Sequence, residues 1–135
     1  MSGLCFDTDV LSAVLRRDPP LALVRRLAQI PTAEQTTTAI TVGELVYGVA
    51  RRGSPQLSRR VNELIESLVS IVPFDRRAAE IYGELRAELE REGRRLDEPD
   101  LRIAAIARSR GLVLVTGNVR HFERVPGLTV ENWLA

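Results

Sequence analysis

Apolar positions along this chain follow two rhythms, short unbroken runs and longer stretches at helical spacing. Residues 4–7 form a brief apolar run that reads as a strand, and residues 8–17 place Val10, Leu11, Val14 and Leu15 on one helical face. Pro19-Pro20 opens a second helix carrying Leu23, Val24 and Leu27, and Pro31 ends it. Residues 36–41 are rich in β-branched side chains and read as a strand. Helical spacing returns through Val42, Leu45, Val46 and Val49 up to Gly53, and Pro55 starts a further helix ending near Ser70. Residues 71–74 predict a strand, and residues 75–92 a long amphipathic helix through Ala79, Ile81, Tyr82, Leu85 and Leu89. A loop over 93–99 leads into residues 101–107, which are apolar nearly all round and predict a buried helix. Gly111 stops that helix, residues 112–115 form an uninterrupted apolar strand, and residues 128–130 a short final one, with Trp133 covering the core behind it.

Strands alternating with helices predict an α/β sandwich around a mostly parallel central sheet. The 135 residues fit one domain, expected to span residues 1–135, and 44% apolar content is enough for a core without disulfides. The lone Cys5 builds neither a disulfide framework nor a paired-cysteine metal site. The opening residues meet two acids before any long apolar run, and no stretch approaches the roughly 18 apolar residues of a membrane span. The expectation is a soluble cytoplasmic protein with no membrane partner.

A net charge of +1 does not by itself predict a polyanionic partner, but its distribution is informative. All 19 basic residues are arginine, many in pairs such as Arg51-Arg52 and Arg94-Arg95, and arginine's planar fork suits phosphate oxygens. Base composition of the gene and solvated helix faces explain the count equally well. The absence of lysine excludes a P-loop, and it argues against phosphoaspartyl phosphatases and receiver domains, which need a lysine near the phosphoryl group.

In parallel sheets, ligands bind beyond the carboxyl ends of the strands, which directs attention to the residues just after each strand. Asp7-Thr8-Asp9 closes the first strand, and Glu44 lies in the first turn of the helix after the threonine-rich strand. Asp100 opens the buried helix, and Thr116-Gly117-Asn118 follows the strand over 112–115. Each has a purely structural explanation. Thr41-x-x-Glu44 matches a capping box and Asp97-x-x-Asp100 a looser one, the helix dipole favours Asp9, and Asn118 can be an N-cap. Three carboxylates converging on one crevice would repel, and a hard divalent cation, Mg²⁺ or Mn²⁺, resolves the conflict. With one histidine and one cysteine, a tetrahedral zinc site is a poor match. A carboxylate-held cation activates water for in-line attack on phosphorus.

The segments FDTDVL (6–11), TVGELVYGV (41–49), DLRIAAIARSRG (100–111) and LVTGNVRHFERVPGLTVENW (114–133) resemble the PIN-domain nucleases, most closely the VapC-type toxins of bacterial toxin–antitoxin pairs. The resemblance runs from end to end of the chain. It implies a three-layer α/β/α fold with an acidic pocket for Mg²⁺ or Mn²⁺. Asp7 then corresponds to the first metal carboxylate, with Thr8 and Asp9 beside it, Glu44 to the glutamate of EL-x-x-G, and Asp100 to the aspartate of D-x-x-IAA. Asn118 stands at the fourth position, supported by the Thr116 hydroxyl. This departs from the four-acid form of the family and favours one well-held ion. The implied reaction is endonucleolytic hydrolysis of structured RNA such as tRNA, leaving 5′-phosphate and 3′-hydroxyl ends. The implied partners are a second copy of the chain and a cognate VapB-type antitoxin that fills the pocket groove, with operator DNA touched only through the antitoxin. Among lesser candidates, His121 is a general acid, an RNA contact or a packing residue, and Arg51, Arg52, Arg94 and Arg95 are phosphate contacts. Tyr47 is expected to pack between helices rather than stack a base, Trp133 to sit in the core, and Asp97 and Glu98 to be solvated loop acids. Two alternatives stay open: the same fold with a dead site that acts only by binding antitoxin and operator, and an RNA-processing nuclease that is no toxin.

Overall fold

The computed structural model describes residues 3–68 and 70–134. Five short parallel strands, β1 (Leu4–Phe6), β2 (Gln35–Thr38), β3 (Ser70–Val72), β4 (Val113–Val115) and β5 (Thr129–Glu131), pair in the order β3-β2-β1-β4-β5. Helices α1 (Thr8–Val14), α2 (Leu21–Ala28), α3 (Ala39–Arg52) and α4 (Pro55–Ser67) lie in the first half of the chain. Helices α5 (Arg76–Arg91), α6 (Glu98–Ser109) and the short α7 (Val119–Phe122) lie in the second.

The two-residue period of a strand sorts these helices into layers. Leu4 and Phe6 of β1 face Val10, Leu11, Leu23, Leu45 and Val61 from α1–α4, whereas Cys5 faces Leu85, Leu89, Ile103, Ala104 and Phe122 from α5–α7. The result is the three-layer α/β/α sandwich expected. A sheet covered on both faces explains why the run at β4 is apolar without alternation. β2 is the exception, with Thr36, Thr37 and Thr38 all buried. Their hydroxyls are satisfied locally: Thr36 donates to the Leu4 carbonyl at 2.9 Å and Thr37 to the Phe6 carbonyl at 2.7 Å, which ties β2 to β1.

Several predicted boundaries move. β2 ends at Thr38 rather than residue 41, because Thr38 is the N-cap of α3 and its hydroxyl accepts from the Thr41 amide at 3.0 Å. Thr41 is therefore inside the helix, the Thr41–Glu44 capping box does not form, and Glu44 sits in the second turn rather than the first. α6 begins at Glu98 rather than at residue 101, and Asp97 caps it by backbone position with no side-chain bond, so the looser capping box is also absent. α1 stops at Val14, short of residue 17, and a 3-10 turn (Thr32–Glu34) precedes β2. α4 ends at Ser67, and the part of its predicted extent at Val69 lies outside the described residues. α7 was not foreseen; four residues are too few to show periodicity.

The strand order positions the site. The chain builds outward from β1 through β2 to β3, then returns over the opposite face to β4 on the other side of β1. The order in which strands are added reverses between β1 and β4, and the crevice opens at their carboxyl ends. Among the described residues, no helix is long and apolar enough to cross a membrane.

Candidate active site

Asp7 stands at the point of reversal. Its amide donates to the Val115 carbonyl at 2.9 Å, which extends the β1–β4 pairing one step past the strand, and it then caps α1. One carboxylate oxygen, Oδ1, accepts from the Thr8 amide at 2.7 Å, and Oδ2 accepts from the Thr116 hydroxyl at 2.7 Å. The side chain is only 5% exposed. Burial pushes its pKa from 3.8 up to about 6; the Thr116 bond opposes the shift, and the charges of Asp9 and Asp100 add to it.

The neighbours follow from the same junction. Asp9, in the first turn of α1, accepts from the Gly117 amide at 2.8 Å through Oδ2. A Cβ on Gly117 would lie 2.7 Å from Leu134 Cδ1 and 2.8 Å from that Asp9 oxygen, so a larger residue would have to displace both side-chain ends. Glu44 accepts from the Thr8 hydroxyl at 2.6 Å, which ties α3 to the start of α1. Asp100, in the first turn of α6, has its pKa raised by burial first and then by the charges of Glu44 and Asp97; His121, with Nδ1 3.7 Å away, opposes the shift. Thr116 is fully buried, donates to Asp7 and accepts from the Asn118 amide at 3.0 Å. Asn118 is the N-cap of α7 by backbone position but makes no side-chain cap bond; its Nδ2 lies 2.8 Å from His121 Nδ1.

Asp7, Asp9, Glu44 and Asp100 therefore gather from both helical layers and the sheet. Among the described residues, none of them forms an ion pair with any arginine. A buried carboxylate beside like charges with no cationic partner is a strong candidate to hold a cation. Among the described residues, no three histidine, cysteine or acidic side chains close around one point. That arrangement suits a hard hydrated ion, which takes one or two carboxylates and keeps several waters, better than an ion that needs a closed cage.

The lesser candidates separate. A groove of about 320 Å³ beside the carboxylates is lined by Thr8, Ser12, Glu44, Arg52, Leu57 and Val61. Arg52 thus reaches the groove, and Arg51 stands over the Tyr47 ring at 5.9 Å. Tyr47 is 63% exposed and does not pack between helices as expected. Arg94 pairs with Glu92 at 3.9 Å, the Arg95 carbonyl accepts from Arg124, and neither arginine touches the carboxylates. Asp97 is exposed and acts on Asp100 only through its charge. Glu98 is not a free loop acid: it accepts from the Tyr82 hydroxyl at 2.6 Å and pairs with Arg86 and Arg102. Trp133 is buried edge-on to Phe6, with Arg26 over its ring at 4.4 Å. Sequence reasoning missed the Asn118–His121 contact, whose one available signal was the three-residue spacing that faces two side chains across a helical turn.

The PIN domain family model matches residues 4–128. The chain is 37% identical to the tRNA(fMet)-specific endonuclease VapC of Shigella flexneri, over 98% of its length and 99% of that protein's. It is 38% identical to ribonuclease VapC2 of Haemophilus influenzae, over 95% and 96%. Among solved structures, a chain of the DNA-bound VapBC complex of Salmonella typhimurium superposes with a TM-score of 0.88 at 34% identity, covering 98% of this chain and 99% of that one.

Proposed function

The chain belongs to the PIN-domain family, and from that premise we propose that it is a metal-dependent endoribonuclease, the toxin of a VapBC-type pair, with residues 1–135 as one catalytic domain. Asp7, Glu44 and Asp100 hold one Mg²⁺ or Mn²⁺, and Asn118 completes the site through its carbonyl oxygen. The ion, when bound, supplies an activated water and stabilises the charge that develops on the phosphate. The chain's own residues do the positioning. Thr116 orients Asp7 through Oδ2, Thr8 holds Glu44, and Asp9 fixes the Gly117 loop that presents Asn118. Arg52 in the groove is the phosphate contact best placed for RNA. The names of the Shigella and Salmonella relatives point to tRNA as substrate class, and the solved DNA-bound VapBC complexes support a VapB-type antitoxin as partner. On this reading the antitoxin carries operator binding and the chain works as a homodimer.

The observation that carries this reading is Asp7, a buried carboxylate raised to about 6 among other acids and, among the described residues, without an arginine partner although the chain has 19 arginines. The test is to sequence RNA ends after brief expression of the chain and of Asp7→Asn. Discrete new 5′-phosphate ends are expected from the first and none from the second, with both proteins folded by circular dichroism. Undiminished toxicity of Asp100→Ala would overturn the assignment.

A further inference from the structure

We propose that His121 is a positioning residue that fixes which end of the Asn118 amide faces the ion site. An amide presents two ends of opposite polarity, an oxygen that attracts a cation and an NH₂ that repels it. At the fourth position of a carboxylate site, the choice of end decides whether asparagine helps or hinders. Asn118 Nδ2 lies 2.8 Å from His121 Nδ1, a good hydrogen bond. The imidazole thus takes the donor end, and Asn118 Oδ1 keeps no hydrogen-bond partner among the described residues.

The contact competes with one alternative. Asp100 Oδ2 is 3.7 Å from the same Nδ1 and would require that nitrogen to carry a proton. At 2.8 Å the Asn118 amide is within hydrogen-bond distance of Nδ1 and at 3.7 Å Asp100 is beyond it, so we take the Asn118 contact as the one made, with the ring proton on Nε2. The arrangement is rigid. The Asn118 carbonyl accepts from the His121 amide at 3.2 Å, and fully buried Phe122 anchors the same turn. The inference rests on the proposed nuclease site, since without an ion or its water there is nothing for Asn118 to face.

Three substitutions separate the atoms of the ring. His121→Asn keeps an acceptor oxygen where Nδ1 stood, His121→Gln keeps one only where Nε2 stood, and His121→Ala keeps neither. With bulk tRNA as substrate, Ala and Gln are expected to lower kcat by about 10- to 100-fold with KM little changed, the range found for partners that orient a metal ligand. Asn is expected to recover most of that loss. Rescue by Gln but not Asn, equal loss in all three, or no loss in any would overturn the proposal. A second readout needs no activity. His121 is the only histidine, so ¹⁵N spectra of the metal-free protein report its ring alone. A proton on Nε2, with an Nδ1 signal that moves in Asn118→Ala, supports the proposal, and a proton on Nδ1 overturns it. Asp7→Asn runs in parallel. Cleavage lost there but intact in His121→Ala overturns only the positioning role, and cleavage that survives Asp7→Asn overturns the nuclease reading together with it.

Discussion

The same burial that makes Asp7 useful makes it a liability to the fold. An ordinary carboxyl of pKa 3.8 in the unfolded chain rises to about 6 in the native protein, so the folded state binds the additional proton between those values. Stability from this group is therefore greatest at low pH and declines as pH rises from about 4 to about 6, the reverse of a salt-bridged aspartate. The shift is worth on the order of 3 kcal/mol at neutrality, at 1.36 kcal/mol per pKa unit. The groups facing Asp7 are Asp9 and Asp100, which disfavour its charge, and Thr8 and Thr116, which favour it. Cys5 stays neutral, with its thiol pushed up to about 12 by burial and by Asp7. In EDTA at pH 7, Asp7→Asn is expected to be more stable than the parent by about 1–2 kcal/mol, less than the full shift because the amide fits its two hydrogen-bond partners less well. Thermal melts at pH 5 and 7 check both halves: the gap should narrow at pH 5, and a less stable Asn variant at pH 7 contradicts the burial argument. The strand-end position of Asp7 was legible in the sequence. Its isolation from 19 arginines was not, because pairing depends on where side chains from distant elements end up.

At the scale of elements, apolar rhythm located the strands and the long helices, since burial on one or both faces leaves its period in the sequence. It failed where a side chain rather than a face sets the boundary. The stretch Thr38-Ala39-Ile40-Thr41 has the composition of a strand, but the Thr38 hydroxyl caps the helix and bonds both the Thr41 amide and its hydroxyl at 3.0 Å. This boundary decides how Glu44 is understood. With Thr41 inside α3, no cap explains Glu44, and its hydrogen-bond partner among the described residues is the Thr8 hydroxyl at the site. Thr38→Val should therefore cost about 1–2 kcal/mol by removing the cap and stranding buried Thr41, whereas Thr41→Val should cost less. Urea unfolding of the two variants decides it; the opposite order would restore the capping box and weaken the functional reading of Glu44. The Asn118 contact stayed illegible for a related reason, since α7 is only four residues long and its spacing is lost among turns.

Seen whole, the site draws on three parts of the molecule. Asp7 belongs to the end of the sheet, Glu44 to the layer of α1–α4, and Asp100 to the layer of α5–α7. In the metal-free protein burial raises the pKa of Asp7 and Asp100, and repulsion from the acids around them adds to the shift. On the proposed reading, a divalent ion bound among these acids would replace that repulsion with a bridge, and it would bind the folded chain alone, because the unfolded chain does not bring the ligands together. Ligand linkage then stabilises the fold by about 2.7 kcal/mol at a free ion concentration 100 times its dissociation constant. Mn²⁺ or Mg²⁺ should accordingly raise the melting temperature by several degrees, EDTA should reverse the rise, and Asp7→Asn and Asp100→Ala should each remove it. Hydrogen exchange should slow together at the N-terminal turns of α3 and α6, which touch through Ile40, and Asp7→Asn should abolish the joint slowing. A rise that persists in both variants would mean the ion binds elsewhere, and protection confined to one layer would mean that Glu44 and Asp100 do not hold the same ion.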